Sequence, residues 1–107
     1  MAKHILEDLF QTIESRKGGD STQSYVASLF DKGTEKIAQK VGEEATETII
    51  EAIKKDKEKL SQESADLLFH LMVLWSDAGL KPNDIFEVLQ KREGFSGLEE
   101  KKNRSAN

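Results

Sequence analysis

Two short stretches hold residues whose types and spacing suit phosphate chemistry: "KVGEEATE", from Lys40 to Glu47, and "ESAD", from Glu63 to Asp66. Each carries two carboxylates at i, i+3 spacing, Glu44 with Glu47 and Glu63 with Asp66, which on a helix puts both on one face. Directly after Asp66 the chain reads "LLFHLMVLW", apolar at eight of nine positions, and Glu63, Asp66, His70 and Asp77 make the one polar stripe along that segment. Ionisable groups beside so apolar a surface need compensation, because an unpaired charge out of water is costly. Four carboxylates brought together repel one another and hold on to protons unless a hard divalent cation joins them. All-oxygen ligation suits Mg2+, with Mn2+ as a substitute, better than Zn2+. Because Mg2+ binds through few carboxylates plus substrate phosphates, a nucleotide or another polyphosphate is the expected ligand.

For the two pairs to meet, their helices must lie side by side. The chain has one proline and almost no Val-Ile-Thr alternation, so the expected fold class is all-α, an antiparallel helical bundle of about five helices. The first helix is expected from Lys3 to Arg16, where Ile5, Leu6, Leu9, Phe10 and Ile13 recur at helical spacing, before "KGGDSTQS" breaks it. A short helix follows over "SYVASLFDKG", with Ser24 as N-cap and Gly33 as stop. The third runs from Thr34 to about Lys54, the fourth from the N-cap Asp56 to Gly79, and the last from Pro82 to a point before Gly94. Residues 95–107 read as a polar C-terminal tail to a single domain spanning 1–107.

If helices three and four form a hairpin, residues equidistant from its turn share a level. Glu47 with Glu63, Glu44 with Asp66, and Lys40 with His70 all centre on position 55, inside the expected connection "IKKDKEK". At about 100° per residue, Lys36, Lys40, Glu44, Glu47 and Glu51 form one stripe of the third helix, beside an apolar side of Val41, Ala45, Ile49, Ala52 and Ile53. On the fourth helix Leu60, Leu67, Leu68, Leu71, Leu74 and Trp75 cover one broad face, while Phe69, Met72 and Val73 make the back apolar too. A helix apolar nearly all round needs more cover than so short a chain supplies, so a homodimer is expected, with this helix at or near its interface.

Composition narrows the setting. The net charge is -4, from 20 acidic and 16 basic residues, with no basic stripe interleaved with aromatics, which argues against nucleic-acid binding. The absence of cysteine excludes thiolate metal sites and disulfides and fits a reducing cytoplasm. "MAKHILEDLF" carries charges where a signal peptide needs an apolar run, and no stretch is long enough to span a membrane, so a soluble cytoplasmic protein is expected.

The acidic residues also carry a likeness. "KVGEEATE" followed after 15 residues by "ESAD" resembles the Glu-Glu-x-x-Glu, gap, Glu-x-x-Asp motif of the all-alpha MazG-type nucleoside triphosphate pyrophosphohydrolases. "SYVASLFDKG", "KIAQKVGEE", "ADLLFHLMVL" and "KREGFSGLEEKKNR" extend the resemblance over nearly the whole chain, to the phosphoribosyl-ATP pyrophosphohydrolases of histidine biosynthesis. Phe69 stands where these chains often have Tyr, and Trp75 where a smaller aliphatic residue is frequent. The resemblance implies Mg2+-dependent hydrolysis of 1-(5-phosphoribosyl)-ATP to 1-(5-phosphoribosyl)-AMP and pyrophosphate by a homodimer. It carries the metal role onto Glu44, Glu47, Glu63 and Asp66, with Glu43 beside them, and it implies the stand-alone form, without the cyclohydrolase domain fused to some members.

On this reading Glu47 or Glu44 takes the proton of the attacking water, and Lys40 and Lys36 contact phosphate. Arg16, Ser24, Tyr25, His70, Arg92, Ser96, Lys101 and Arg104 are further candidates for substrate binding. Each also has a plain structural reading: Ser24 as a cap, His70 as a satisfied buried histidine, and Arg16 and Arg92 as cations favoured at helix C-termini. Two rival functions are a housecleaning hydrolase of free (deoxy)nucleoside triphosphates and a non-catalytic helical dimer whose acidic stripe docks a basic partner. A di-iron carboxylate bundle is disfavoured, since neither pair includes a histidine at i, i+3.

Overall fold

In the computed structural model, which describes residues 4–93, the described chain is all-α: α1 (Ile5–Ser15), α2 (Tyr25–Lys32), α3 (Thr34–Lys54), α4 (Lys57–Asp77) and α5 (Pro82–Arg92). The expected caps start and stop these elements. Ser24 accepts from the Ala27 amide, Asp56 from the Lys59 amide, and Pro82 opens α5. Gly33, at φ 96°, separates α2 from α3, a conformation that a Cβ would strain. Two ends differ from expectation. The first helix begins at Ile5, with the His4 ring capping the Leu6 amide at 3.1 Å, and ends at Ser15 with Arg16 as C-cap. The fourth stops at Asp77, so that Ala78 and Gly79 (φ 81°) form the turn beyond it.

The connection that matters is the one from α3 to α4. Lys55 takes the left-handed conformation (φ 61°), its amide bonds to the Ala52 carbonyl, and the Asp56 amide reaches back to the Glu51 carbonyl, closing α3 with a Schellman-type cap. Asp56 then caps α4, so only Lys55 and Asp56 lie between two 21-residue helices. So short a link forces α3 and α4 into an antiparallel pair, which forms the main helix contact of the protein. α1 packs on α4, α2 on α3, and α5 on α1.

The core gathers Phe10 and Ile13 from α1, Leu29 from α2, Ile37 from α3, and Met72 and Val73 from α4. The side of α4 read as its back is therefore the one this chain buries. Leu60, Leu67, Leu68 and Leu71 of the broad leucine face are only partly covered. On α3, Ile49, Ile50 and Ile53 are 58%, 46% and 75% exposed. The physical reason is the placement of α1 and α2, which pack against the Met72–Val73 side and leave the lower half of the hairpin bare.

Polar contacts pin the other end of the hairpin. The Thr34 hydroxyl donates to Asp77 at 2.6 Å, tying the start of α3 to the end of α4. The buried Ser76 hydroxyl donates to Glu14 at 3.0 Å, while Lys17 donates to the Ser76 carbonyl at 2.9 Å and pairs with Glu14 at 2.9 Å. The Lys17 ammonium holds the Glu14 carboxyl below its usual range despite partial burial.

Candidate active site

The hairpin brings the two carboxylate pairs together. Oxygens of Glu44, Glu63 and Asp66 lie within 4.8 Å of one another, Glu44 buried, Glu63 half-buried and Asp66 exposed. Glu47 is near enough to both Glu44 and Glu63 to raise their carboxyl pKa values, so all four expected residues meet at one place. The register follows from the two-residue turn, since equal distances along two antiparallel rods bring Glu47 to Glu63 and Glu44 to Asp66.

The electrostatics show carboxylates that press on one another. Contact with Glu47, then burial, then the Glu44 charge push the Glu63 carboxyl up to about 7. Burial raises that of Glu44, with Glu47 and Asp66 adding to it and His70 opposing. One oxygen of Glu44 and one of Glu63 are buried without any hydrogen-bond partner. Buried acceptors are normally satisfied, and unpartnered carboxylate oxygens within a cluster of converging carboxylates suit the all-oxygen ligation of a hard divalent cation. The residues thus fit such an ion, and they hold no imidazole or thiolate that would favour zinc.

Around this cluster the other expected residues divide. Lys40 lies 3.1 Å from Glu43 and 3.8 Å from Glu44 and keeps a quarter of its side chain exposed. Lys36 is near enough to act on Glu43. Tyr25 and His70 are bonded to each other at 2.9 Å, and His70 Nδ1 is 2.7 Å from the Asp66 carbonyl. Ser24 is occupied as the cap of α2. Arg16 is the C-cap of α1 and Arg92 the last residue of α5. Ser96, Lys101 and Arg104 lie outside the described residues.

One carboxylate was on the expected stripe but not in the expected site. Glu51, one turn beyond Glu47, has a buried oxygen with no hydrogen-bond partner, and Lys54 approaches that oxygen only to 3.9 Å. Its i, i+4 relation to Glu47 was the available signal. The contact between Tyr25 and His70, 45 residues apart, had no sequence signal at all.

An antiparallel helix pair that collects four acidic side chains at one level defines an all-α, carboxylate-centred class of protein. Within that class the relationship is specific: residues 6–93 match the family model described as phosphoribosyl-ATP pyrophosphohydrolase. Curated proteins named phosphoribosyl-ATP pyrophosphatase agree. That of Azospirillum brasilense is 57% identical, covering 95% of this chain and 92% of its own length, and that of Paramagnetospirillum magneticum is 52% identical, covering 94% and 93%. The Gluconobacter oxydans protein is 48% identical over 91% of this chain and 73% of its own. The chain belongs to the phosphoribosyl-ATP pyrophosphohydrolase family and is accordingly a hydrolase.

Proposed function

We propose that this protein hydrolyses 1-(5-phosphoribosyl)-ATP to 1-(5-phosphoribosyl)-AMP and pyrophosphate, the second step of histidine biosynthesis, as a Mg2+-dependent homodimer of one-domain chains in the cytoplasm. The observation that carries this reading is the convergence of Glu44, Glu47, Glu63 and Asp66 with two buried oxygens left unpartnered. Glu44, Glu63 and Asp66, whose oxygens all lie within 4.8 Å of one another, are the principal ligands, with Glu47 beside them. A divalent cation held there supplies neutralisation of the triphosphate charge. Glu47 is exposed and outside that group of three, so it is the carboxylate left to accept the proton of the water that attacks the alpha-beta phosphoanhydride. Lys40, held at the rim by Glu43 and Glu44, offers an ammonium to a phosphate oxygen, and Lys36 adds positive charge one turn away.

The dimer is supported by the exposed Ile49, Ile50 and Ile53 on α3 and by the half-covered leucines of α4, apolar side chains that a second copy could cover. Among the described residues no helix is long and apolar enough to cross a membrane, and the lack of cysteine suits a reducing compartment.

The test is pyrophosphate release from phosphoribosyl-ATP, with and without Mg2+, beside a panel of free nucleoside triphosphates. Strong preference for the phosphoribosylated nucleotide, strict Mg2+ dependence, and loss of at least about 100-fold in Glu44→Gln and Asp66→Asn are expected. Equal turnover of dUTP or dCTP, or unchanged rates in either variant, would overturn the reading.

A further inference from the structure

Lys40 has two carboxylates within reach, and it takes the one that lies outside the acidic cluster. On α3 it precedes Glu43 by three positions and Glu44 by four, so its ammonium can close on either. It stands 3.1 Å from Glu43 Oε2 and 3.8 Å from Glu44 Oε1. Glu43 is turned to receive it, because the Gln39 side-chain amide donates to Glu43 Oε1 at 2.9 Å and leaves Oε2 to Lys40. Glu44 is divided differently. Its Oε1 is the oxygen near Lys40, while its Oε2 is buried without a hydrogen-bond partner.

The two carboxylates differ in surroundings and in task. The Glu43 side chain is 45% exposed and that of Glu44 only 11%. One helical step of about 100° separates them, and Glu43 is not part of the group in which Glu44, Glu63 and Asp66 bring their oxygens within 4.8 Å. An ion pair in water is weak and gives way readily, whereas a pair with a buried carboxylate is strengthened by the low dielectric around it. An ammonium closed on Glu44 would also compete with a divalent ion, since both draw on the same negative charge.

We infer that Glu43 is a positioning residue that holds the Lys40 ammonium off Glu44. Glu44 thereby keeps its charge for the divalent ion, and Lys40 waits on a weak, exposed pair from which a phosphate oxygen can draw it. The inference rests on the ion and phosphate roles proposed above, and it adds a role for Glu43 that is exercised through Lys40.

A double-mutant cycle on the full chain tests it. Mn2+ binding is measured by electron paramagnetic resonance, without nucleotide and at about pH 8, above the raised value of Glu63. Wild type, Glu43→Gln, Lys40→Met and the double variant are compared after thermal melts have shown each to be folded, with Lys40→Gln taking the place of Lys40→Met if the latter does not fold. In Glu43→Gln the released ammonium closes on Glu44, and the Mn2+ Kd should weaken about 3- to 10-fold, the worth of one charged contact. In the Lys40→Met background the same substitution has no ammonium to release, and the Kd should move by less than about 2-fold. Equal weakening in both backgrounds would mean that the Glu43 charge acts on the ion directly, and it overturns the inference. So does a Kd unmoved in Glu43→Gln. Either result leaves the proposed function standing, whereas folded wild type that binds no Mn2+ overturns both.

Discussion

At the scale of single residues the acidic cluster trades stability for binding capacity. Glu63 is held near 7 against an ordinary 4.5, so between those values the folded chain keeps a proton that the unfolded chain has released. Stability of the metal-free protein should therefore fall as pH rises from about 5 to about 8, because the native state binds the extra proton only below its raised value. Thermal melts in EDTA across that range are expected to show a declining Tm, flattened in Glu63→Gln and reversed by added Mg2+. A Tm independent of pH in EDTA would mean that the four carboxylates do not press on one another. Removing the charge should thus leave the fold as stable or more so while abolishing ion binding, the opposite pairing to that of an ordinary core substitution.

At the scale of the elements, the α3–α4 hairpin is the part that cannot shift. Its turn contains only Lys55 and Asp56, and Asp56 supplies the side-chain cap on the first turn of α4. Asp56→Ala should cost about 1 kcal/mol in denaturant unfolding, with the orphaned Lys59 amide as the cause. Met72→Ala, at a position fully buried against α1 and α2, should cost about 2–5 kcal/mol through the cavity it leaves. Comparable losses at the two positions would imply that the cap is propping up more than its own turn. The Glu14, Lys17 and Ser76 contacts act at the far end, where the loop after α1 is anchored to the last turn of α4.

At the scale of the whole molecule, the described residues leave one side of the longest helices largely uncovered. Ile53, at 75% exposed, and Ile49, at 58%, lie on the same stretch of α3. Sedimentation of wild type is expected to show a dimer, and Ile49→Glu with Ile53→Glu should shift it to monomer, since burying two unpaired carboxylates costs more than the interface can return. A monomeric wild type would refute the assembly while leaving the carboxylate geometry untouched.

The hairpin was legible in the sequence because its information is local. Asp56 is a good cap, Gly33 and Pro82 punctuate, and the helical period places Glu44, Glu47, Glu63 and Asp66 on faces that a short turn must bring together. Counting outward from position 55 sufficed, since an antiparallel pair joined by two residues has one register. Which apolar side of α4 would be buried could not be counted out, because Met72 and Leu71 are equally apolar and the choice was made by where α1 and α2 came to rest. The same holds for Tyr25 and His70. Both residue types stood in plain view, but a hydroxyl and a ring nitrogen 45 positions apart meet only once three helices have packed, and nothing along the chain encodes that distance.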